Sequence, residues 1–436
     1  MNANPLSDNT LSLVEIDCRE LILGMYVSDL DCNWSDTPFP LGGFHVRTAE
    51  DIQVLLKYCQ RIVIDLNKGA APRQRRKHQL TILSSARKSA PPANKLKIDR
   101  GRYEVSHSVK QLIDRAWEKY SSLKAGFSRV CHGVRQGEGI KLHYLSTSGS
   151  ELVKVIIANP ETVIWLLNTD PEEPRPTDYC VRAALWATIL ARQVGMSQEH
   201  LETVFLGTLL SDIGLQMLPE RLVMKTGHFR RKECLAYRKH VAFSANLIGL
   251  HPELNDAVKA VAENHHERND GLGFPRGIKG ELIPVHARIA HIAYSFERLL
   301  RNNSSRGRRV PMAKALSRLY KQRGLKFSEQ LVVEFIHALG MYPAGTLVNL
   351  TSGEVAIVLE QNEQARMQPR VAILVNSQGE ELTKPDILNL ACESGGQSNM
   401  PSIISESAQP GGPNPRDFTF SFWGKKLALG SFSLRL

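Results

Sequence analysis

Residues 11–67 alternate between apolar and polar side chains in short segments, which predicts a small α+β module. The strand-like segments are LVEID, GMYVSDLD and RIVIDL, each short, β-branched and of period two. Between them AEDIQVLLKYC has the spacing of an amphipathic helix. The segment contains no glycine-rich phosphate loop and no local cluster of His or Cys, so the sequence predicts no chemistry there.

Residues 103–340 are predicted to be helical, because apolar residues recur three and four positions apart. Examples are VSHSVKQLIDRAWEKYSSL, SELVKVIIANPETVIWLLNT and CVRAALWATILARQVG, each expected to form a helix with one buried face. Short connections favour antiparallel packing of consecutive helices. Residues 341–392 return to strand patterns in GTLVNLTSGEVAIVLEQ and RVAILVNSQGEEL, which predicts a small β appendage. Residues 393–436 are predicted to be a mostly disordered tail, because residues 393–417 are rich in Gly, Pro and Ser. The apolar end, FTFSFWGKKLALGSFSLRL, either docks on the body or a partner or is a frayed terminus.

The chain carries 55 Lys and Arg against 44 Asp and Glu, and the net charge of +11 is concentrated in one segment. Residues 68–97 contain nine basic residues and no acid, within a stretch rich in Ala, Pro and Ser. We therefore predict a basic flexible linker over 68–100, acting as a solvated spacer. Such a run could contact nucleic acid, but no aromatic residue is present to stack on bases, so nucleic-acid binding is disfavoured.

Composition places the chain among intracellular multidomain proteins. With 436 residues, 42% hydrophobic and 23% charged, it is too long for one ordinary core and too apolar for wholesale disorder. No apolar run is long enough to span a membrane, and the N-terminus lacks the pattern of a secretory signal. The seven cysteines are scattered and never spaced C-x-x-C, which is typical of a reducing compartment. We expect a cytoplasmic protein.

The segment ENHHERNDGLGFPRGIKGELIP, residues 263–284, is the chemically informative part of the sequence. His265 and His266 are adjacent, at the end of a predicted helix and before Asp-Gly and Gly-Phe-Pro turns. Adjacent histidines point about 100° apart on a helix, so they can address one metal only where the helix ends in a cavity. Asp212 follows a buried helix in LLSDIG, and His240 lies within another helix. Taken alone, these residues favour a metal site only weakly.

The same residues carry a resemblance to the HD-GYP domain, the helical HD-superfamily module that hydrolyses cyclic di-GMP. LLSDIG, RKHV and above all HHERNDGLGFPRGIKGELIPVHARI match the family pattern in register. GMYVSDLD and NWSDTPF resemble the small domain that often precedes HD-GYP, and MYPAGTLVNLTSGEVAIVL resembles the appendage of that subgroup. The resemblance implies a mainly α protein, an HD-superfamily helical bundle with an N-terminal α+β module and a C-terminal β appendage.

The resemblance also implies which metal ligands are kept and which are lost. The kept set is Asp212, His240, His265 and His266. The family's other ligand positions fall on Tyr179, Ser211 and Tyr294, where the family has His, His and Asp. A two-metal phosphodiesterase needs more donors than the kept set supplies, and Ser or protonated Tyr are poor ligands. The kept four could hold one divalent ion, Fe, Mn or Zn, or form a metal-free hydrogen-bonded cluster.

The turn that follows the histidines has two interpretations that the sequence leaves open. The loop either braces the helix end or presents a platform to a nucleotide or protein partner. Its residues are Arg268, Asp270, Gly273, Phe274, Pro275, Arg276 and Lys279. Phe274 stands where the family has Tyr, which keeps the ring and removes one hydroxyl.

We therefore predict a degenerate HD-GYP signalling protein of a cyclic di-GMP network. It would bind cyclic di-GMP, or a protein partner of the diguanylate cyclase type, without efficient hydrolysis. The alternative is a metal-dependent phosphodiesterase with residual activity on one metal, in which Asp212 would take part in catalysis. Nucleic-acid binding through residues 68–97 is a weaker third hypothesis.

Overall fold

The computed structural model describes residues 13–32, 44–46, 48–66, 69, 98–170, 177–225, 228–301, 310–362, 365, 368–391 and 401–407. The chain divides into two compact units. The first comprises residues 1–91 and 218–239, and the second comprises residues 92–217 and 240–436. Most of the predicted linker 68–100 and most of the predicted tail 393–436 lie outside the described residues, as does NWSDTPF.

The first unit contains the predicted α+β elements. Its strands are β1 (Leu13–Asp17), β2 (Tyr26–Leu30), β3 (Phe44–His45) and β4 (Arg61–Asp65), in the order β1-β4-β2-β3 with antiparallel pairing. Helix α1 (Ala49–Tyr58) is capped by Thr48, whose hydroxyl accepts a hydrogen bond from the amide of Asp51 in a capping box. Apolar residues from the strands and from α1 form a separate small core that includes Val27, Leu55 and Ile64.

The second unit is dominated by helices, so the prediction of a mainly α protein is confirmed. Residues 218–239 of the first unit contain α7 (Glu220–Val223) and the start of α8 (Arg231–Gly249). The remaining helices are α2 (Val109–Arg135), α3 (His143–Ala158), α4 (Pro160–Thr169), α5 (Asp178–Gln193), α6 (Gln198–Leu210), α9 (Asp256–Asn264), α10 (Val285–Arg301), α11 (Met312–Lys321) and α12 (Glu329–Leu339). None of the helices within the described ranges combines the length and the apolar character needed to cross a bilayer.

Helix α5 lies at the centre of this bundle. Its residues from Cys180 to Ala191 are all buried, and it packs against α6, α10 and α12. A helix that is apolar nearly all round is expected in the middle of a bundle. Helices α5, α6 and α10 therefore form a rigid frame, and the segments that follow α6 and precede α10 are positioned by it.

One predicted helix is two helices in the structure. The segment SELVKVIIANPETVIWLLNT was expected to be continuous, but α3 ends at Ala158 and α4 begins at Pro160. Pro160 lacks the amide hydrogen that an interior helical residue donates, and its ring disfavours the helical conformation in Asn159. The Asn159 side chain accepts a hydrogen bond from the amide of Glu161 and so caps α4.

The C-terminal sheet extends beyond the segments predicted to be strands. Strands β5 (Leu347–Leu350), β6 (Val355–Glu360) and β7 (Arg370–Val375) lie within those segments, and β8 (Glu381–Asn389) continues past them. Strand β9 (Ile403–Glu406) comes from the segment predicted to be tail and pairs with β5, giving the order β8-β7-β6-β5-β9. The carboxylate of Glu406 accepts hydrogen bonds from the amides of Met312 and Ala313 at the start of α11. This residue therefore fixes β9 to the helical bundle.

Candidate metal centre

Asp212, His240, His265 and His266 come together inside the second unit. Their ligand atoms all lie within 4.8 Å of one another. Asp212 Oδ1 is 3.1 Å from His240 Nε2 and 3.4 Å from His265 Nε2, and His266 Nε2 is 3.1 Å from His240 Nε2. Asp212, His240 and His265 are each at most 2% exposed.

Local structure explains how Asp212 and His240 meet. Asp212 lies between the end of α6 and a short 3-10 helix, Ile213–Met217, and His240 lies on α8. Gly214 lets this turn approach α8 closely, because a Cβ at that position would come within 3.0 Å of His240 O and Ser244 N. The Gly214 amide also donates a 2.9 Å hydrogen bond to Ser244 Oγ.

The two adjacent histidines come from the end of α9, as the sequence predicts. His265 is the C-cap residue of that helix, and its Nδ1 is 2.9 Å from the carbonyl oxygen of Ala262. A carbonyl can only accept, so Nδ1 carries a proton, and Nε2 is the ring nitrogen that lies near Asp212. On α10, His291 Nδ1 donates to the carbonyl of His265 at 2.7 Å and so holds the helix end in place.

The side chains of the cluster are in protonation states that allow them to bind a metal ion. Burial by itself would raise the pKa of Asp212, but His240 and His265 hold this pKa well below its usual range. Burial, followed by the charge of His265, lowers the pKa of His266 well below its usual range. Near neutral pH the cluster therefore presents a carboxylate and at least one neutral imidazole, the forms that coordinate metals.

Several buried atoms of the cluster that could bind a metal form no well-oriented hydrogen bond within the described part of the chain. They are both carboxylate oxygens of Asp212 and Nε2 of His265. His240 Nε2 lies 3.1 Å from Asp212 Oδ1 but is not oriented for a hydrogen bond. Buried polar atoms are almost always satisfied, and converging exceptions call for an explanation. A divalent cation fits this donor set of one carboxylate and imidazoles. The structure thus contains a possible His/Asp metal site.

The positions where the resemblance implies lost ligands are occupied differently. Tyr179 on α5 and Tyr294 on α10 form an edge-to-face pair with ring centroids 4.7 Å apart, and Tyr179 Oη donates to the carbonyl of Tyr294 at 2.9 Å. The Tyr294 ring lies 5.6 Å from His266 and 5.9 Å from His265. Ser211, the C-cap residue of α6, is buried, and its hydroxyl donates to Thr208 O.

The loop after the histidines is held by internal contacts. The buried carboxylate of Glu267 accepts hydrogen bonds from the amides of Arg276 and Gly277, at 2.7 and 3.1 Å. Arg268 forms a two-point ion pair with Asp270, and Arg276 donates to the side chain of Asn264 at 2.5 Å. These contacts join parts of the loop to one another and to Asn264 at the end of α9.

Phe274 connects this loop to the cluster. Its ring stacks on His266 with a centroid distance of 4.5 Å, and its amide donates to His266 O. The following peptide, Phe274–Pro275, is cis. Arg276 and Lys279 are both exposed. The loop thus fixes the orientation of His266 and carries two exposed cations, of which Arg276 is bound to Asn264.

Gly273 is the glycine on which this loop depends. A Cβ there would come within 3.0 Å of Arg268 N, Glu267 Cα and His266 O, all backbone atoms. We expect Gly273→Ala to destabilise the protein by about 1–3 kcal/mol, as overpacking does, and to weaken metal binding at the cluster. The control is Gly101→Ala, because Gly101 is exposed and its nearest neighbour would be 3.9 Å away. Thermal unfolding and metal titration of both variants test this, and equal melting temperatures would contradict it.

A concave cavity of about 520 Å³ lies beside the loop. None of the four cluster residues is among those lining it. Its lining residues are Asn269, Gly280, Glu281, Arg288, Gly324, Ser328, Glu329 and Gln330. With two glutamates facing one arginine, its charge does not suit a phosphodiester, so we do not assign the chemistry to it.

Two groups in the structure were not predicted from the sequence. One is a buried ion pair between Arg182 and Glu297, whose partners are 115 residues apart. The other consists of Asp31, Cys32 and Cys59 in the first unit, with ligand atoms within 4.8 Å of one another. Neither has a local spacing that a sequence motif could detect.

Comparison with known protein families assigns three regions of the chain. An HD domain model matches residues 163–331, a domain of unknown function, DUF3391, matches residues 13–144, and a KOW domain associated with HD domains matches residues 347–395. The DUF3391 match extends beyond the module predicted at 11–67, across the basic segment and into α2 and the start of α3. The chain is therefore an HD-domain protein with an N-terminal DUF3391 domain, homologous to cyclic di-GMP phosphodiesterases of the HD-GYP type.

Two relatives of known sequence agree with this assignment, and one solved structure gives a weak alignment. Cyclic di-GMP phosphodiesterase PA4108 of Pseudomonas aeruginosa is 26% identical over 370 residues, covering 84% of this chain and 86% of the relative. Cyclic di-GMP phosphodiesterase response regulator RpfG of Xanthomonas campestris pv. campestris is 33% identical over 149 residues, 34% of this chain and 39% of the relative. The solved structure of Bd1817, an HDG"Y"P protein from Bdellovibrio bacteriovorus, aligns with a TM-score of 0.42 and 16% identity, over 75% of this chain and 99% of that one.

Proposed function

We propose that this chain is a degenerate HD-GYP protein of a cyclic di-GMP network, which binds a nucleotide or protein partner without efficient hydrolysis. The observation that carries the proposal is the donor set of the cluster: one carboxylate and three imidazoles, with the Tyr294 ring beside two of the imidazoles and the Tyr179 ring packed against Tyr294. The homology to named cyclic di-GMP phosphodiesterases supports the choice of signalling network.

The donor count argues against a two-metal centre. Such a centre holds two cations about 3.5–4 Å apart, bridged by oxygen ligands, and uses both to stabilise the attacking and leaving oxygens. Four side chains supply at most four protein ligands to be shared between two ions. Losing even outer partners costs about 10–100-fold in affinity or activity, and here three direct ligand positions of the family carry other residues.

The tyrosines also take the space that a second ion and its water would need. Burial raises the pKa of Tyr179 well above its usual value, so its hydroxyl stays protonated and is a poor ligand. That hydroxyl is already committed to the carbonyl of Tyr294. Close-packed aromatic side chains leave no room for solvent without displacement.

The alternative function is a phosphodiesterase with residual activity on a single ion. The unsatisfied oxygens of Asp212 and the unsatisfied Nε2 of His265 favour one bound cation, Fe, Mn or Zn, over a metal-free cluster. One cation would polarise a phosphoryl oxygen when bound. The residues of this chain would hold it through Asp212, His240, His265 and His266, and no second set of donors is present near them in the described residues.

Metal content and turnover measured together separate the two functions. The protein and its Asp212→Asn variant are loaded with Mn²⁺ or, in the absence of oxygen, with Fe²⁺. The metal bound at the cluster is the number of ions per chain that the parent binds and the Asp212→Asn variant does not. We expect at most one such equivalent, binding of cyclic di-GMP or of a diguanylate cyclase by calorimetry, and no hydrolysis above the Asp212→Asn background. Slow hydrolysis that disappears in Asp212→Asn would establish the alternative, and two equivalents with rapid hydrolysis would refute the proposal.

The braced loop suggests which cation contacts an anionic ligand. Because Arg268 and Arg276 make internal contacts and Lys279 is exposed, we expect Lys279→Ala to weaken binding of cyclic di-GMP, with each charge-assisted contact contributing about 1.5–3 kcal/mol. Its melting temperature should not change, since exposed charges contribute about 0–1 kcal/mol to folding. Arg268→Ala is the comparison and should lower the melting temperature. If Lys279→Ala binds as the parent does, the loop is a brace only.

A further inference from the structure

The first unit brings thiols and a carboxylate together at one end of its sheet. Asp31 and Cys32 directly follow β2, and Cys59 is the C-cap residue of α1. Cys32 Sγ and Cys59 Sγ are 3.0 Å apart, and a carboxylate oxygen of Asp31 lies within 4.8 Å of both. Cys18, at the corner after β1, is close enough to interact electrostatically with Cys32 and Cys59.

Backbone hydrogen bonds hold these segments in register. Asp31 Oδ2 accepts from the amides of Gln60 and Arg61, at 3.0 and 2.9 Å, and the Cys18 amide donates to Gln60 O at 3.0 Å. Both amides donate to the same oxygen of Asp31, so these two bonds do not use Oδ1. Hydrogen bonds of this kind orient the carboxylate ligands of metal sites.

The surroundings of the thiols are apolar and acidic. Cys18 is 1% exposed, Cys59 is 5% exposed and Cys32 is half-buried, so one side of the group is accessible. Burial, followed by the charge of Asp31, raises the pKa of the Cys18 thiol to about 12. Burial and then Cys32 raise the pKa of Cys59 as well. The charged side chains that act on the Cys18 and Cys59 thiols are the acids Asp17 and Asp31.

We propose that Asp31, Cys32 and Cys59 form a binding site for a thiophilic divalent cation of the Zn²⁺ type. Thiolate sulfur is the donor that selects zinc among the common divalent ions, and a carboxylate is an accepted third ligand. With zinc–sulfur bonds of about 2.3 Å, tetrahedral geometry separates two sulfurs by about 3.8 Å. Binding therefore requires the two sulfurs to move apart by less than 1 Å, and the half-buried Cys32 side leaves the fourth position to water.

The other chemistry open to two adjacent thiols is a disulfide. Its formation needs a thiolate to attack, an oxidant such as a peroxide to accept two electrons, and release of both thiol protons. A disulfide uses the two sulfurs alone, whereas Asp31 adds a third donor oxygen within 4.8 Å of both. The presence of three converging donors thus favours a metal over a disulfide.

Cobalt substitution tests the site without interference from the histidine cluster, because only thiolate ligands give a thiolate-to-cobalt charge-transfer band. The full chain is reduced, stripped of metal and titrated with Co²⁺ and then Zn²⁺. We expect the band in the parent and in the Cys234→Ser control, its loss in Cys32→Ser and in Cys59→Ser, and its displacement by zinc. Zinc should also protect Cys32 and Cys59 from alkylation, as read by mass spectrometry.

Asp31→Asn provides a second variant that leaves both thiols in place, should the serine variants fold poorly. It should bind cobalt at least about 10-fold more weakly than the parent, because a ligand charge is lost while the side-chain shape is kept. No charge-transfer band in the folded parent, or a band that survives in both serine variants, would overturn the proposal. An Asp31→Asn affinity equal to that of the parent would do the same, as would a Cys32–Cys59 disulfide that forms while the reduced protein binds no metal.

Discussion

Changing Tyr179→His, Ser211→His and Tyr294→Asp together is expected to raise the metal bound at the histidine cluster from at most one equivalent to two. Cyclic di-GMP hydrolysis should rise with it, by about 100-fold or more over the parent, since each lost partner of a metal costs about 10–100-fold. The physical reason is that the parent has four donors within reach of one another and needs more for two ions.

The fold should tolerate the three changes. Histidine and aspartate are both smaller than tyrosine, so replacing the rings at 179 and 294 opens space beside His265 and His266. The hydrogen bond from Tyr179 Oη to Tyr294 O is lost, which costs about 0.5–1.5 kcal/mol. A domain with a core centred on α5 should withstand such a loss.

Single changes are expected to do little. Ser211→His alone introduces a larger side chain at a buried position whose hydroxyl bonds to Thr208 O, with both tyrosine rings still in place. Donors act as a set, so one imidazole without its partners gains no second ion. The matched control is Tyr179→Phe with Tyr294→Phe, which keeps both rings, adds no donor and should bind metal as the parent does.

The metal bound at the cluster is counted as the number of ions per chain that are lost when Asp212→Asn is added to each protein. Hydrolysis of cyclic di-GMP is measured on the same samples. A triple variant with the near-ultraviolet circular dichroism of the parent but no additional metal would show that missing ligands alone do not explain the single-metal site. Other residues would then have to fill the space beside the histidines that a second ion needs.

The helical pattern and the histidine segment were predictable because their information is local. Apolar spacing marks α5 and α10, and His265 and His266 lie at the end of α9 where the sequence places them. The prediction of one helix over 150–169 was wrong because the apolar periodicity continues across Asn159–Pro160, whereas Asn followed by Pro marks the start of a new helix.

Other features depend on contacts between distant segments. Strand β9 has a weak local pattern, and its stability comes from pairing with β5 and from Glu406 binding the start of α11. Asp31 and Cys59 meet because the end of β2 lies beside the start of β4, which no spacing in the sequence reveals. Long-range pairing of this kind is where single-sequence reasoning fails, since propensity describes only neighbouring residues.

The buried ion pair between Arg182 on α5 and Glu297 on α10 is another feature that depends on a contact between distant segments. Arg182 Nε is 2.9 Å from Glu297 Oε1, Trp186 Nε1 donates to Glu297 Oε2 at 3.0 Å, and both charged side chains are at most 1% exposed. Arg182 also donates to the carbonyl of Leu167 at 2.8 Å. The carboxylate of Asp170 is 3.9 Å from the guanidinium, too far for a hydrogen bond.

Glu297→Gln is therefore expected to lower the free energy of unfolding by about 3–5 kcal/mol, because it leaves the Arg182 charge buried without its main counter-ion. The matched control is Glu360→Gln, which breaks the Glu360–Arg370 pair of similar length, 2.9 Å, whose side chains are 45% and 47% exposed. That change should cost at most about 1 kcal/mol. Replacing both buried partners, Arg182→Met with Glu297→Leu, should recover much of the loss, since an apolar pair carries no desolvation penalty. Denaturant unfolding of the four proteins measures these differences. If Glu297→Gln costs no more than Glu360→Gln, the pair is solvated in the native protein and the bundle does not depend on it.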